Sequence, residues 1–225
     1  TPDLAPMAND GMAELVEKYP ARFPGFVASI AMNNPDAALN EIDRAITELG
    51  ATGIQIFSNV NGRPLDEPEF QPLFARMAAL DLPIWLHPAR SPNFPDYQTE
   101  KRSRYDLWWV FGWPYETTIA MGRLVFSGIF DRHPNLKIIS HHLGAMLPYF
   151  EGRAGSGLDQ LGSRTEDADD AVMVLADSYR LSKRFMIPEK LVGQGAAKNA
   201  DVGFSVLVHH VQKKATGDAE MSHVE

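Results

Sequence analysis

Short apolar runs alternate with amphipathic segments along the first two thirds of the chain. Apolar residues recur at helical spacing between residues 12 and 19 and precede an apolar run at 25–31, a pattern that predicts a helix and then a buried strand. Asn34 can serve as the N-cap of a second helix, with Pro35 at its first position. An apolar stripe follows and stops at Gly50, which predicts the end of that helix.

The same alternation continues as far as residue 140. We predict strands at 53–57, 82–87 and 136–140, and helices at 70–80 and 119–130. Parallel strands joined by helices form either a doubly wound sheet or a (β/α)8 barrel. We favour the barrel because no G-x-G-x-x-G or G-x-x-x-x-G-K-[ST] motif follows any strand. The predicted fold class is therefore α/β, a (β/α)8 TIM-barrel-like architecture.

From about residue 165 the pattern of the chain changes. The segment 171–185 is weakly helical, 203–211 has the pattern of a strand, and the last dozen residues have the composition of a frayed tail. We therefore predict that residues 1–164 form a partial barrel domain. Residues 165–225 are predicted to be a divergent C-terminal segment of the same domain or a frayed tail.

Composition narrows the class of protein. The chain has 225 residues, 44% of them apolar, and no cysteine, which is typical of one soluble globular domain and excludes disulfides and thiolate metal sites. A formal charge of -8 repels nucleic acid and anionic membrane surfaces. No apolar stretch is long enough for a membrane helix, and the first residues lack the features of a signal peptide. We expect a cytoplasmic protein with neither nucleic acid nor membrane as its partner.

Polar side chains follow three of the predicted strands. Ser58 and Asn59 come after the strand at 53–57, His87 ends the next, and His141 and His142 come after the third. Both candidate folds place ligands at the carboxyl ends of their parallel strands. These residues are therefore the first candidates for a functional site.

The histidines allow more than one interpretation. Pro88 favours an extended His87, whose neutral imidazole suits a divalent metal or, equally, a hydrogen bond in a strand-to-loop corner. Successive residues of a strand point to opposite faces, so we expect only one of His141 and His142 to face the mouth of the barrel. We prefer His142, because Gly144 beside it lets the backbone approach a ligand. A packing or interface role for both stays open.

Two further features carry alternatives. The segment 105–116 holds six aromatic residues together with Asp106 and Glu116. It is interpreted as a helix on the barrel exterior or in a dimer interface, or else as a wall for a flat aromatic substrate. Arg153 has the guanidinium that can hold a substrate carboxylate with two hydrogen bonds, but a surface ion pair explains it equally well.

Three segments together resemble a known family: GIQIFSN (53–59), LPIWLHP (82–88) and the long stretch 105–153. They are similar to the amidohydrolase-related (amidohydrolase 2) family, which includes aminocarboxymuconate-semialdehyde decarboxylase and the resorcylate-type decarboxylases. The resemblance covers about residues 23–153 and is most specific where a strand-His-Pro segment precedes a strand-His-x-Gly-x-x-x-Pro segment. It implies a barrel with one divalent metal, Zn or Mn, that removes CO2 from, or adds water to, small unsaturated or aromatic carboxylates.

The resemblance also implies roles for individual residues. His87 matches the metal-binding histidine of the family's fifth strand. His142 matches the sixth-strand histidine that acts on the substrate as acid and base, and Arg153 matches an arginine that holds the substrate carboxylate. We therefore predict His87 and His142 as metal residues, and His142 and Arg153 as catalytic residues.

Two ligand groups of the family are missing from this chain. No His-x-His or Glu-x-His pair precedes Gly25, and no Gly-Thr-Asp-like turn follows Thr165, so the chain resembles the middle of a family member. Asp96, Asp106 and Asp201 are candidates to supply a carboxylate instead. The resemblance to the family also implies a homodimer. The alternative function is a non-catalytic truncated remnant that serves as a binding or oligomerisation module. Such a remnant would hold a metal only weakly, because two imidazoles alone are a poor site.

Overall fold

The computed structural model describes residues 3–150, Arg153 and the backbone of residues 206–209. Its helices and strands follow in chain order: α1 (Leu4–Lys18), β1 (Ala28–Ser29), α2 (Pro35–Thr47), β2 (Ile54–Phe57), β3 (Asn59–Val60), β4 (Arg63–Pro64), α3 (Gln71–Ala79), β5 (Pro83–His87), α4 (Leu107–Val110), α5 (Gly112–Phe126), α6 (Ile129–Arg132), β6 (Lys137–Ser140) and β7 (Val206–His209). The predicted boundary at residue 164 lies outside the described residues and stays a prediction.

The strands form a five-stranded sheet in the order β1-β2-β5-β6-β7. The first four are parallel to one another, and β7 pairs antiparallel with β6. The sheet register places Phe57 beside His87, and Leu86 beside Ser140. The carboxyl ends of β2, β5 and β6 therefore lie side by side, and the α/β architecture predicted from the sequence is confirmed.

Apolar side chains of the strands form the centre of the core. Ile54 and Ile56 of β2 are fully buried, as are Ile84 and Leu86 of β5 and Ile138 of β6. The helices cover the sheet with further buried side chains: Ile42, Phe74, Met77, Met121, Leu124 and Phe130. Burial of each such side chain contributes roughly 1.5–3 kcal/mol to the free energy of folding. The sheet is therefore a stable base for the residues at its ends.

Local signals in the sequence account for most of the helix and turn boundaries. The Asn34 side chain accepts a hydrogen bond from the Ala37 backbone N–H (3.1 Å), as its predicted N-cap role requires. The segment after β2 contains the β3–β4 hairpin, whose turn residues Asn61 and Gly62 both have positive φ. That geometry matches the right-handed twist of two paired strands, and Asn-Gly favours it.

Two predicted elements have different bounds from those expected. The helix expected at 119–130 begins earlier, as α5, and ends at Phe126, because Gly128 has φ +70° and separates α5 from α6. The strand expected at 25–31 is reduced to β1, Ala28–Ser29. None of the helices in the described part of the chain is long and apolar enough to cross a membrane.

A side chain of α1 occupies the outer edge of β1. Asn9 is fully buried, its Nδ2 donates to the Ser29 carbonyl (3.1 Å), and its Oδ1 accepts from the Ser29 N–H (2.8 Å). Asn9 Nδ2 also donates to Glu41 Oε1 (2.6 Å), and Glu41 accepts two hydrogen bonds from Arg44. The backbone groups that an edge strand leaves unpaired are thus satisfied at Ser29 without another strand.

Candidate active site at the strand ends

Three histidine rings meet beyond the carboxyl ends of β5 and β6. The ring centres of His87 and His141 are 5.0 Å apart, those of His87 and His142 are 5.5 Å apart, and those of His141 and His142 are 5.9 Å apart. The fold thus brings together two of the predicted site residues, His87 and His142, and adds His141 to them.

The expectation that only one of the two adjacent histidines would face the mouth was wrong. His141 continues the pairing of β6, since its N–H donates to the Leu86 carbonyl (3.1 Å). His142 then turns to φ +56°, outside the extended region. Because strand alternation applies only to extended residues, both rings can lie near His87.

The chain after His141 has an unusual backbone. His142, Leu143, Gly144 and Ala145 all have positive φ. For residues other than glycine this conformation costs of order 1 kcal/mol or more, and it persists only where the surroundings hold it. Met146 supplies one such restraint, because its N–H donates to the Thr118 hydroxyl of α5 (3.1 Å). Such strain is common at functional sites.

His87 has a defined tautomer. Its Nδ1 lies 2.8 Å from the Pro88 carbonyl oxygen, which can only accept a hydrogen bond. Nδ1 therefore carries the hydrogen, and in the neutral ring Nε2 has a free lone pair. The His87 backbone is held as well, because its carbonyl accepts from the Ser58 N–H (2.9 Å).

The two other imidazoles are held in the neutral form at neutral pH. Burial lowers the pKa of His141 to about 4, with smaller contributions from His87 and His142. Burial and then His87 lower the pKa of His142 as well, although the residue as a whole stays exposed. His141 Nε2 is buried without a hydrogen-bond partner in the described part of the chain. Neutral imidazole is the form that binds metal ions and accepts protons.

Trp113 of α5 forms an aromatic wall beside the histidines. Its ring centre lies 5.1 Å from that of His87 and 5.7 Å from that of His142, the latter at an interplanar angle of 32°. Trp108 and Trp109 meet Trp113 edge to face at 5.9 and 6.1 Å. One aromatic residue of the 105–116 segment thus lines the cluster, whereas other large side chains of this segment are exposed: Tyr105, Trp109, Phe111 and Tyr115.

A polar network lies behind the His87 loop. Glu116 Oε1 accepts hydrogen bonds from Ser58 Oγ (3.2 Å) and Asn59 Nδ2 (2.7 Å). Sequence reasoning noted Ser58 and Asn59 at the strand end but assigned no site role to Glu116. A signal for it existed, because residues three apart share one face of a helix and Glu116 follows Trp113 by three.

Within the part of the chain that the structure describes, the other predicted site residues are not brought to the histidines. Arg153 is exposed, and the structure shows no contact from it to the cluster among the described residues. Asp96 accepts hydrogen bonds from its own loop (2.8 and 2.9 Å), and Asp106 accepts from Trp108 Nε1 (3.3 Å). Asp201 lies outside the described residues.

The cluster fits part of a metal site. Two imidazoles that share one tetrahedral ion, with metal–nitrogen bonds of about 2.1 Å, have ring centres roughly 5 Å apart, close to the spacing seen here. The buried Nε2 of His141, which has no hydrogen-bond partner among the described residues, is also a nitrogen that could bind an ion. Within the described residues, however, no three His, Asp or Glu side chains form a group that could hold a metal ion. These residues thus supply imidazole donors but not a complete ligand set.

Comparison with known proteins shows which family and which relatives the chain is similar to. A family model described as amidohydrolase matches residues 3–169. The chain is 37% identical over 157 residues to 2-amino-3-carboxymuconate-6-semialdehyde decarboxylase of Dictyostelium discoideum, covering 70% of this chain and 42% of that protein. It is 39% identical over 155 residues to gamma-resorcylate decarboxylase of Rhodococcus jostii (strain RHA1), covering 65% and 46%.

A solved structure shares the fold. The crystal structure of 5-carboxyvanillate decarboxylase from Novosphingobium aromaticivorans, complexed with manganese and 4-hydroxy-3-methoxy-5-nitrobenzoic acid, is similar with a TM-score of 0.62 and 38% identity. The match covers 72% of this chain and 45% of that one. The chain spans about half the length of the relatives that it matches, and the resemblance stated from the sequence motifs is confirmed.

Proposed function

The chain belongs to the amidohydrolase family, and we propose that it serves the metal-dependent decarboxylation of a small aromatic or muconate-like carboxylate. The observation that carries the proposal is the meeting of His87 and His142 at the strand ends, with the Trp113 ring beside both. Relatives named as decarboxylases of such carboxylates support the reaction class.

Of the described residues, His87 is the proposed metal donor, and His142, whose ring centre lies 5.5 Å away, is proposed to act beside the ion. His87 offers its Nε2, because its Nδ1–H is engaged by the Pro88 carbonyl. A bound divalent ion, Zn or Mn, would polarise the oxygens of the substrate and draw charge from its ring. The remaining ligands then have to come from outside the described residues.

His142 is proposed to carry the proton of the reaction. When the bond between the ring carbon and the carboxyl group breaks, CO2 leaves and the electron pair stays on the ring carbon, which takes a proton. Burial lowers the pKa of His142, so its ring is neutral before substrate binds. It therefore first accepts a proton from a substrate hydroxyl group and then delivers that proton to the ring carbon as CO2 leaves. Trp113 would lie against the flat substrate and exclude water, and Arg153 is proposed to hold the substrate carboxylate.

Metal content and CO2 release test the proposal together. Protein purified without chelator is expected to hold about one equivalent of Zn or Mn and to release CO2 from 2,6-dihydroxybenzoate, the probe chosen from a related enzyme's ligand. A folded sample with neither metal nor activity would contradict the proposal and favour a binding module.

We further propose that the protein forms a homodimer through the exposed aromatic face of α4 and the start of α5. Residues 107–115 contain no charged side chain, whereas the whole chain carries a formal charge of -8. Two copies can therefore approach through this face with less repulsion than through their other surfaces. A cytoplasmic location is kept as a prediction, which cell fractionation would test.

A further inference from the structure

We infer that Glu116 is a positioning residue that fixes the loop after β5 and, through that loop, the tautomer of His87. Glu116 acts through other residues and lies on α5, behind the histidine cluster. The inference rests on the proposed function in one respect only: that the His87 Nε2 lone pair, once oriented, binds a metal ion. The arrangement itself is a chain of contacts in the described residues.

The first link joins Glu116 to the end of β2. Its Oε1 accepts from Ser58 Oγ (3.2 Å) and from Asn59 Nδ2 (2.7 Å). A carboxylate can only accept, so the single hydroxyl hydrogen of Ser58 points to Glu116 and its oxygen lone pairs face the other way. Asn59 has its amide orientation fixed in the same manner, because its Oδ1 accepts from the Gly62 N–H (2.9 Å).

The second link is a clamp on Ala89. Its N–H donates to Ser58 Oγ (2.9 Å), and its carbonyl accepts the other hydrogen of Asn59 Nδ2 (3.1 Å). Both backbone groups of Ala89 are thus held by side chains that Glu116 orients. Ala89 is two residues after His87, within the short turn that leaves β5.

The third link reaches the imidazole. With Ala89 held, the preceding Pro88 carbonyl is directed at His87 Nδ1, 2.8 Å away. Only the tautomer with hydrogen on Nδ1 can make that bond, and it leaves the Nε2 lone pair free. The orientation of a metal-binding imidazole is generally set in this way, by the partner of its other nitrogen.

Arg90 connects the same loop to α5 a second time. Its carbonyl accepts from Trp113 Nε1 (3.0 Å), and its guanidinium NH1 lies 3.9 Å from Glu116 Oε2. The side chain is packed against Gly112, where an added Cβ would lie 2.6 Å from Arg90 Cδ. Helix α5 therefore holds the loop at Ala89 through Glu116 and at Arg90 through Trp113.

The tautomer of His87 is the readout that tests the inference. Nitrogen NMR of the metal-free full chain at a pH of about 8, above the pKa of about 6.5 of histidine in model peptides, distinguishes hydrogen on Nδ1 from hydrogen on Nε2. We expect the Nδ1–H form in the wild type and a mixture of tautomers in Glu116→Ala. Glu116→Gln is expected to retain the Nδ1–H form, because its amide oxygen can replace Oε1 as the acceptor.

Two variants separate positioning from general damage. Asp66→Ala removes another carboxylate bound to α5, through Arg123 (2.8 and 2.9 Å), and should leave the His87 tautomer unchanged. Ser58→Ala removes one arm of the clamp and should shift the tautomer as Glu116→Ala does, so it decides the matter if Glu116→Ala does not fold. An unchanged tautomer in both Ser58→Ala and Glu116→Ala, or a wild type without the Nδ1–H form, would overturn the inference.

Manganese binding distinguishes this inference from the proposed function. Where the wild type binds Mn²⁺, the dissociation constant is expected to rise about 10- to 100-fold in Glu116→Ala and to change little in Glu116→Gln. If the wild type binds no Mn²⁺ but the substitutions change the His87 tautomer as expected, the metal proposal is contradicted and the role of Glu116 is supported. If the wild type binds Mn²⁺ tightly but the substitutions leave the His87 tautomer unchanged, the metal proposal is supported and the role of Glu116 is contradicted.

Discussion

Neutral imidazoles can lie next to one another where charged ones would repel. Burial lowers the pKa of His141 to about 4 and that of His142 in the same direction, so neither ring is protonated at neutral pH. His141 and His142 are therefore nitrogen donors without positive charge beside His87. That state suits both roles in the proposal, metal binding and acceptance of a proton.

The two proposed roles predict different results for two single substitutions. His87→Ala should lower the metal content to below roughly a tenth of the wild type, because it removes the donor whose tautomer is defined. His142→Ala should retain metal and reduce CO2 release by about 10²- to 10⁴-fold, the usual contribution of a general acid or base. Elemental analysis and CO2 release measure the two quantities in parallel.

His133→Ala is the matched control, since this histidine lies in the turn between α6 and β6 and should affect neither quantity. If His142→Ala also lost its metal, His142 would be a metal ligand rather than the proton carrier. Metal retained in His87→Ala would contradict the ligand assignment.

The sequence predicted the histidines better than it predicted their surroundings. His87 and His142 follow from the rule that parallel strands present their carboxyl ends on one edge. His141 was misplaced because a left-handed non-glycine residue cannot be foreseen from propensity. Glu116 was missed because its partners, Ser58 and Asn59, are 58 and 57 residues away in the chain.

Packing between β2 and β5 sets the spacing of the strand ends, and Gly53, directly before β2, has no room for a side chain against β5. A Cβ at Gly53 would lie 2.5 Å from the Pro83 carbonyl oxygen and 2.5 Å from Trp85 Cζ3. The carbonyl belongs to the backbone of β5 and cannot move without disturbing the paired strands. Gly53→Ala is therefore expected to lower the free energy of unfolding by about 1–3 kcal/mol, as overpacked core sites do.

Gly11→Ala provides the comparison for this strand prediction. Gly11 lies within α1 and a Cβ there would meet nothing within 4 Å, so alanine should raise the free energy of unfolding by roughly 0.5–1 kcal/mol. Urea unfolding followed by circular dichroism measures both variants. Equal shifts in the two variants would show that the β2–β5 contact is looser than the structure has it.

Element boundaries were predicted well where local chemistry decides them. The Asn34 cap and the strands β2, β5 and β6 are such cases, since capping and apolar runs act within a few residues. The shortness of β1 could not be predicted in this way. Its pairing depends on β2 and on Asn9 of α1, which lie outside its own segment.

Two features characterise the described part of the molecule: a largely parallel sheet, and an exposed apolar surface between residues 105 and 119. The sheet has four parallel strands covered by helices. The structural match covers about half the length of the solved 5-carboxyvanillate decarboxylase. Six large apolar side chains are exposed between residues 105 and 119: Tyr105, Trp109, Val110, Phe111, Tyr115 and Ile119. An exposed apolar surface of this kind marks an interaction site more often than a free surface.

The proposed homodimer makes this aromatic face the contact between two copies, and two exposed side chains on it are suited to a test. Phe111 is 68% exposed and Tyr115 is 51% exposed, so serine at either position removes apolar surface without opening the core. Sedimentation velocity over a range of protein concentrations should show a wild-type dimer and at least a tenfold weaker dimer in Phe111→Ser and Tyr115→Ser. Met7→Ser, at a position 69% exposed on α1, should leave the dimer unchanged.

The response to salt separates this contact from one made by ion pairs. Each copy carries a formal charge of -8, so added salt screens the repulsion between copies while apolar contact persists. Dimerisation should therefore strengthen between about 0.05 and 0.5 M NaCl, whereas a contact built on ion pairs would weaken. A wild type that stays monomeric at every concentration and salt level, or serine variants that dimerise as well as it does, would exclude the aromatic face as a self-association surface.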